Sequence, residues 1–363
     1  MVKKLAIKID KYQVENIRSA LIKLDILDHT RKIIRSERSV EIPITNKYSP
    51  NEVMNKLKNC FGHDKSLVNI QVVTQPAPVD RPKRSEPFEL ILEKCRSIKP
   101  ELTEIDLKSL PKKWELLGDV LIVKFPSELN DHAAQLAPVY AEVIGAVTVL
   151  WETENIKGPM RIPTMEILYG ERTETVHKEN GVLFKIDAAQ LIFSSGNIDE
   201  RARISIIPNP GETIIDMFAG VGYFSLPIAV HSKPQKIYAC ELNPVAFRYL
   251  EENIKLNKVE EIVEPMLGDN RETAPENIAD RVILGYIKHT SEFLPKAFQV
   301  LKDRKGILHY HDTSPNELLP DKPFEDVKNA AAEVDRVAEL LNYYRIKSYA
   351  PGISHVVIDV LIK

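Results

Sequence analysis

The sequence predicts an α/β protein: a doubly wound, mostly parallel sheet with an antiparallel last strand, preceded by two smaller α+β domains. Three observations carry this. From residue 200 onward, short apolar runs near 212–217, 236–241, 261–266, 280–286, 306–312, 344–349 and 354–362 read as strands. They alternate with helical stretches near 223–231, 243–257, 291–302 and 324–342, the rhythm of strand and crossover helix. The last two runs are joined by Ala350-Pro-Gly-Ile353, too short for a parallel crossover, so the sheet ends in an antiparallel pair. The first run, Thr213-Ile-Ile-Asp216, breaks into a turn holding Gly220 and Gly222 before its helix.

The elements ahead of that sheet follow from local pattern. Residues 3–9 read as a strand, 11–27 as a helix through Val14, Ile17, Leu21 and Leu24, and 31–44 as further strands, giving a small unit over 1–74. Residues 75–87 carry four prolines and no apolar periodicity, the mark of an extended linker; Arg81, Lys83 and Arg84 are its cations. A second α+β domain occupies 88–192. It opens with a helix and a polar connection over 88–110, then two strands over 114–125. A helix over 130–144 and a strand over 147–152 follow, and several short strands over 166–192 hold the hairpin signal Asn180-Gly181. The remaining domain spans 193–363.

Composition bounds the function. The chain has 363 residues, 44% hydrophobic and 28% charged, ordinary for a soluble protein of two or three domains. Cys60, Cys95 and Cys240 have neither metal-like spacing nor a disulfide pattern. No apolar run reaches membrane-spanning length and the start lacks a signal-peptide core, so a cytoplasmic location is expected, with no membrane partner. The net charge of −3 is uneven. Residues 1–75 hold 14 Lys and Arg against 8 Asp and Glu, a surplus of six, leaving −9 for the rest. A basic module on an acidic body suits a search for phosphates; the plain alternative is a solvated charged surface.

The glycine turn is the richest motif. Gly220 and Gly222 let backbone approach a ligand, and Glu241 ends the next strand 21 residues beyond Gly220, a spacing suited to ribose hydroxyls. The turn lacks the third glycine of the dinucleotide fingerprint and opens with Asp216, so a nucleoside-containing cofactor is expected. Ahead of the sheet, Phe193-Ser-Ser-Gly-Asn-Ile-Asp-Glu-Arg201 offers Ser194 as a hydroxyl and Arg201 as a planar fork for a carboxylate. The competing reading makes it a capped helix start. After the third strand, Asp269 and Asn270 suit a purine edge, against a plain Asx turn. After the fourth, Tyr286 can stack on a base, with His289 or Thr290 in bonding reach. His309 and His311 share a strand face but show no third ligand, so no metal is expected.

Asp216-Met-Phe-Ala-Gly-Val-Gly222 followed by an acidic second strand resembles the class I S-adenosylmethionine-dependent, Rossmann-like domain. Together with Phe193-Ser194 through Glu200-Arg201, Gly268-Asp-Asn270, Gly285-Tyr286 and Tyr349-Ala-Pro-Gly352, it resembles the archaeal and eukaryotic tRNA guanine-37 methyltransferase family. Closer still is that family's wybutosine-synthesis branch, over 190–363 most strongly and over 1–190 more weakly. The resemblance implies S-adenosylmethionine as group donor and the anticodon region of tRNA(Phe) as partner, with a monomer favoured. It also implies transfer of the 3-amino-3-carboxypropyl group to C7 of 4-demethylwyosine at position 37, releasing methylthioadenosine. Glu241, Asp269 and Asn270 are expected at the adenosine and Ser194 and Arg201 near the methionyl arm, with Phe218, Gly220 and Gly222 also binding the cofactor, and no general base is named. Gly285-Tyr286-Ile287 stands where methyltransferase members carry Asn-Leu-Pro, and Ser195-Gly196 where they carry an arginine, which favours the aminocarboxypropyl branch; Thr290-Ser291, where that branch has Thr-His, departs from it. The alternatives are guanine-37 N1-methylation, a relative with both activities, and a tRNA-binding protein that retains the donor without turnover.

Overall fold

The computed structural model describes residues 5–363 except 11–12, 29–30, 37–38, 62–69, 76–85, 99–101, 158–161 and 288. The expected linker cations Arg81, Lys83 and Arg84 thus lie outside the described residues. Among the described residues no helix is long and apolar enough to cross a membrane.

The amino-terminal unit runs β1 (Leu5–Asp10), α1 (Val14–Lys23), β2 (Ile34–Arg35), β3 (Ser39–Pro43), α2 (Pro50–Phe61) and β4 (Gln71–Thr74), with sheet order β2-β3-β1-β4. Ile7, Ile9, Ile17, Leu21, Ile42, Val53 and Leu57 form its core. No helix is predicted over α2, although Val53, Leu57 and Phe61 recur at helical spacing and pack on the core of the unit. Its start is set by Ser49 and Glu52, whose side chains each accept the other's backbone N–H, at 3.4 and 2.8 Å.

The second unit comprises α3 (Pro87–Ile98), α4 (Glu104–Ser109), β5 (Trp114–Leu117), β6 (Val120–Val123), α5 (Ala133–Ile144), β7 (Thr148–Lys157) and β8 (Ile162–Tyr169), in sheet order β5-β6-β7-β8. Strands β6 and β7 are parallel, with α5 as their crossover. The expected polar connection contains α4, capped by the reciprocal Thr103–Asp106 box. The Asn180-Gly181 signal is realised as the hairpin β9 (Glu174–Glu179) and β10 (Val182–Asp187), with φ of 47° and 83° at the two turn residues. Val182, Phe184 and Ile186 of β10 pack into the core of the large sheet.

That sheet is assembled from α6 (Ile198–Ile204), β11 (Thr213–Asp216), α7 (Ser225–His231), β12 (Lys236–Glu241), α8 (Pro244–Leu256), β13 (Val263–Leu267), α9 (Asn270–Thr273), β14 (Arg281–Leu284), α10 (Leu294–Val300), β15 (Gly306–Pro315), α11 (Asp321–Ala332), β16 (Ala338–Ala350) and β17 (Ile353–Ile362). Seven strands lie in the order β13-β12-β11-β14-β15-β17-β16. The first five are parallel, and β17 is antiparallel to both β15 and β16, as the short last connection requires. Alternating strand residues feed two cores: Ile214, Ile237 and Ala239 face α7 and α8, while Ile215, Val282 and Ile358 face α10 and α11. The order reverses at β11, so the ligand crevice falls beyond its carboxyl end.

Within the large sheet, one stretch differs from expectation. A helix over 324–342 is predicted, yet α11 ends at Ala332 and β16 has begun by Ala338. Ala331 and Val334 continue the helical spacing, but the run from Ala338 pairs with β17 from Ile362 down, and a ladder of ten residue pairs outweighs the local preference.

Candidate functional site

A cavity of about 310 Å³ opens at the reversal point. The turn after β11 makes its floor. Gly220 holds φ +58°, and a Cβ there would stand 2.4 Å from the Tyr223 ring. Gly222 at φ +101° does not line the cavity; a Cβ there would meet Leu226 at 2.5 Å, so this glycine serves the packing of α7 on the strand. Beneath the turn, the fully buried Asp216 accepts the Phe218 N–H at 3.2 Å and the Ser225 hydroxyl at 2.7 Å, tying the loop to the first turn of α7. Burial pushes its carboxyl up to about 6, with the charge of Glu241 adding to the rise.

Glu241, ending β12, reaches back into the turn. Its Oε2 accepts the Gly220 N–H and its Oε1 the Asn243 N–H, both at 2.7 Å. Burial raises its pKa, and those backbone donors act against the rise. The carboxylate is therefore oriented before any ligand arrives, with lone pairs to spare for hydroxyl donors.

Asp269 and Asn270 stand side by side after β13 and both line the cavity. Asp269 forms the Asx turn weighed as the plain alternative, accepting the Arg271 N–H at 2.9 Å. Arg271 also clamps the carboxylate through Nε and Nη2, which lowers its pKa. Asn270 is buried; its Nδ2 donates to the Met217 carbonyl at 2.7 Å, while its Oδ1 has no partner among the described residues. A buried acceptor left open beside a cavity is costly unless a ligand donates to it. The exocyclic amino group of adenine is such a donor, so these residues fit the nucleoside the spacing predicts.

Across the cavity, Phe218 and Tyr286 stack with ring centroids 5.0 Å apart, and Phe293 meets Phe218 edge-on at 4.8 Å. Tyr286 lines the cavity, and the stacking partner of its ring in this structure is Phe218. His289 and Thr290 do not line it. The chain leaves β14 at Leu284 and turns away: His289 is exposed beside Glu292, and the buried Thr290 hydroxyl donates to the Tyr286 carbonyl at 3.2 Å. His309 and His311 belong to the interior of the sheet, where His309 meets Arg281 and Asp359 and His311 meets His355.

Ser194 and Arg201 both line the cavity, but Arg201 is not an open fork. It is 2% exposed, and Nε and Nη2 grip Glu179 of β9 at 2.7 and 2.6 Å. Nη1 holds the Ser194 carbonyl at 2.9 Å, and the guanidinium lies 4.6 Å from the Phe193 ring centre. A fully buried guanidinium is held by such pairing, so Arg201 shapes the Phe193–Ser194 loop. The Ser194 hydroxyl is met by Lys347 of β16, which does not itself line the cavity and whose Nζ donates to Ser194 Oγ at 2.5 Å. Sequence reasoning missed Glu179, Phe293 and Lys347. Arg271, two residues after Asp269, was the one addition with a local signal.

Three family models match in succession: the tRNA methyltransferase 5 N-terminal domain over 6–52, the TYW2 N-terminal domain over 96–173, and the TRM5/TYW2 methyltransferase domain over 175–340. The tRNA(Phe) (4-demethylwyosine(37)-C(7)) aminocarboxypropyltransferase of Pyrococcus horikoshii is 47% identical over 71% of this chain and 92% of its own. The chain belongs to the TRM5/TYW2 family. The crystal structure of P. horikoshii TYW2 in complex with MeSAdo superimposes with a TM-score of 0.68 at 44% identity, covering 76% of this chain and 98% of that one. That of M. jannaschii TYW2 in complex with AdoMet gives 0.57 at 40% identity, covering 69% and 99%. The tRNA (guanine(37)-N(1))-methyltransferase Trm5b of Pyrococcus abyssi is 32% identical over 98% of both chains. This chain therefore joins the full Trm5 length to a body nearer in sequence to TYW2.

Proposed function

We propose that the protein transfers the 3-amino-3-carboxypropyl group of S-adenosylmethionine to C7 of 4-demethylwyosine at position 37 of tRNA(Phe), in wyosine-derivative biosynthesis, releasing methylthioadenosine. The observation that carries this is the 47% identity to a relative of that name, against 32% to the methyltransferase. The residues present fit the donor: Glu241 would take the ribose and Asp269 and Asn270 the adenine edge, with Phe218, Tyr286 and Phe293 as apolar walls. The donor's sulfonium activates all three attached carbons, so the product follows from which carbon is aligned with the acceptor. This chain's share of the work is to hold and orient, through the pinned Glu241 carboxylate and the loop that Arg201 and Glu179 brace.

The full-length match to Trm5b and the Trm5-type amino-terminal match favour methyl transfer as the second reading. One experiment separates the two. The protein is incubated with tRNA(Phe) carrying either guanosine or 4-demethylwyosine at position 37, and with donor labelled separately in the methyl and carboxypropyl carbons. The first tRNA offers the N1 that a methyltransferase needs, the second the C7 of the tricycle. Carboxypropyl label should enter the tRNA with methylthioadenosine as by-product. Methyl label alone entering, with S-adenosylhomocysteine released, would overturn the reading and promote the methyltransferase. If the donor binds and neither label moves, the non-enzymatic alternative takes its place.

Residues 1–74 then serve as the docking unit for the tRNA, close to its anticodon region, on the strength of their positive surplus and the Trm5-type match. Deleting residues 1–75 should weaken tRNA binding and flatten the fall of log affinity with log salt, while donor affinity stays within about twofold. An unchanged salt slope would remove this unit from the interface.

A further inference from the structure

We propose that Lys347 binds the α-carboxylate of the donor's methionyl arm, and that residue 196 is glycine in order to admit it. The inference rests on the placing of adenosine at Glu241 and Asn270, which directs the methionyl arm toward Ser194.

Three observations meet at this rim. A cationic partner for the carboxylate is expected beside Ser194, and Arg201 is committed to Glu179 and to the Ser194 carbonyl. The Lys347 ammonium sits at the same rim, 2.5 Å from the Oγ of the cavity-lining Ser194. An ammonium is a compact charge with rotatable donors, able to share a hydroxyl and a carboxylate in one cluster. The third observation is steric. A Cβ on Gly196 would stand 2.8 Å from Lys347 Cδ and 3.2 Å from Nζ, and Gly196 is not among the positive-φ glycines. Its backbone does not demand glycine; the space taken by the lysine does.

The surroundings favour a fixed position. Lys347 projects from the edge strand β16, paired with His355 of β17 between two irregularities of the ladder, at Arg345/Lys347 and Ser348/Ala350, and its ammonium is held by Ser194 Oγ. Glu115 of β5 accepts the Ser195 N–H at 3.2 Å and its carboxylate feels the charge of Lys347, so the Ser194–Gly196 loop touches both an acid from the second unit and a lysine from the last strands. Fixing the carboxylate end of the arm while Glu241 fixes the ribose end stretches the donor between two anchors. The orientation of the carbons on sulfur, and hence the choice of carbon, then depends on Lys347.

Calorimetry with three ligands tests this: S-adenosylmethionine, its decarboxylated form, and methylthioadenosine. Wild type should bind the decarboxylated form about tenfold more weakly than the parent. Lys347→Met should abolish that difference and leave methylthioadenosine affinity unchanged, and Lys347→Arg should restore most of it. Gly196→Ala, which displaces only the flexible end of the lysine, should weaken the parent ligand alone. Equal affinity of wild type for the first two ligands overturns the proposal, and needs no variant to fold. A Lys347→Met protein that keeps the carboxylate preference but loses tRNA affinity also overturns it, making the lysine a phosphate contact. Failure of wild type to bind methylthioadenosine would instead undo the placing of adenosine.

Discussion

Asp359→Ala should be the most destabilising single change in the sheet, lowering unfolding free energy by about 3–5 kcal/mol, the cost of breaking a buried ion pair from one side. Asp359 lies in the middle of β17, 3% exposed, and gathers three elements. Its carboxylate takes Arg203 Nη1 at 2.7 Å and Nη2 at 3.1 Å, fastening α6 to the sheet. It also takes His309 Nδ1 at 2.6 Å from β15. Arg281 stands 2.7 Å from the other ring nitrogen of His309, and a guanidinium can only donate, so Nε2 accepts and Nδ1 carries the hydrogen given to Asp359. His309 is thus fixed neutral, with its pKa lowered by burial. Alanine at 359 leaves the His309 donor unmatched and Nη1 of the buried Arg203 without its acceptor, with Glu200 as that guanidinium's remaining carboxylate, at 2.8 and 2.7 Å. Asp359→Asn, which keeps an acceptor, should cost less. Urea titration with unchanged midpoint and slope would refute the assignment.

The same network sets a pH signature. The folded protein excludes a proton from His309 that the unfolded chain binds below its ordinary value near 6.5, so this contribution is whole above that pH and falls as pH drops through it. Asp359 is held ionised well below the usual carboxylate range by His309 and Arg203, so its stabilisation is present above about pH 4 and is lost as pH falls further. The gap between wild type and Asp359→Ala should therefore be widest near neutrality and narrow below about pH 4.

The parts of the site that depend on short-range spacing were legible in the sequence. The turn with Gly220, Glu241 one strand later, and Asp269-Asn270 after the third strand are brought together because each sits at the carboxyl end of a neighbouring parallel strand, and strand order follows from the alternation. The parts that depend on pairing across the chain were not. Arg201 reads as a carboxylate fork until Glu179, 22 residues earlier on the hairpin, is seen to occupy it. Lys347 lies 153 residues from Ser194 and arrives only because β17 inserts between β15 and β16 and carries the edge strand to the mouth of the cavity. A strand reaching 286 would carry His289 and Thr290 toward the ligand, whereas β14 stops at Leu284. Of the described residues from there to Thr290, Gly285 and Tyr286 line the cavity, while His289 is exposed and Thr290 is buried against the Tyr286 carbonyl. The same limit hid the strand in 338–342, whose spacing is helical and whose partner is β17.

Glu241→Ala should weaken S-adenosylmethionine and methylthioadenosine alike by more than about tenfold, since both carry the ribose, with roughly 1.5–3 kcal/mol at stake in charge-assisted bonds. The loss has two sources. Two hydroxyl donors lose a carboxylate that burial has already stripped of water, and the Gly220 and Asn243 N–H groups lose the acceptor that orients the turn and the start of α8. Glu241→Gln keeps one strong acceptor and should fall between. Affinity for tRNA should barely change, because the docking surplus lies in residues 1–75. The contrast with Lys347 is diagnostic: removing Glu241 weakens both nucleosides equally, while removing Lys347 weakens only the ligand with a carboxylate. Unaltered donor affinity in Glu241→Ala would take this residue out of the site, and with it the reading of the second strand as the ribose-binding edge.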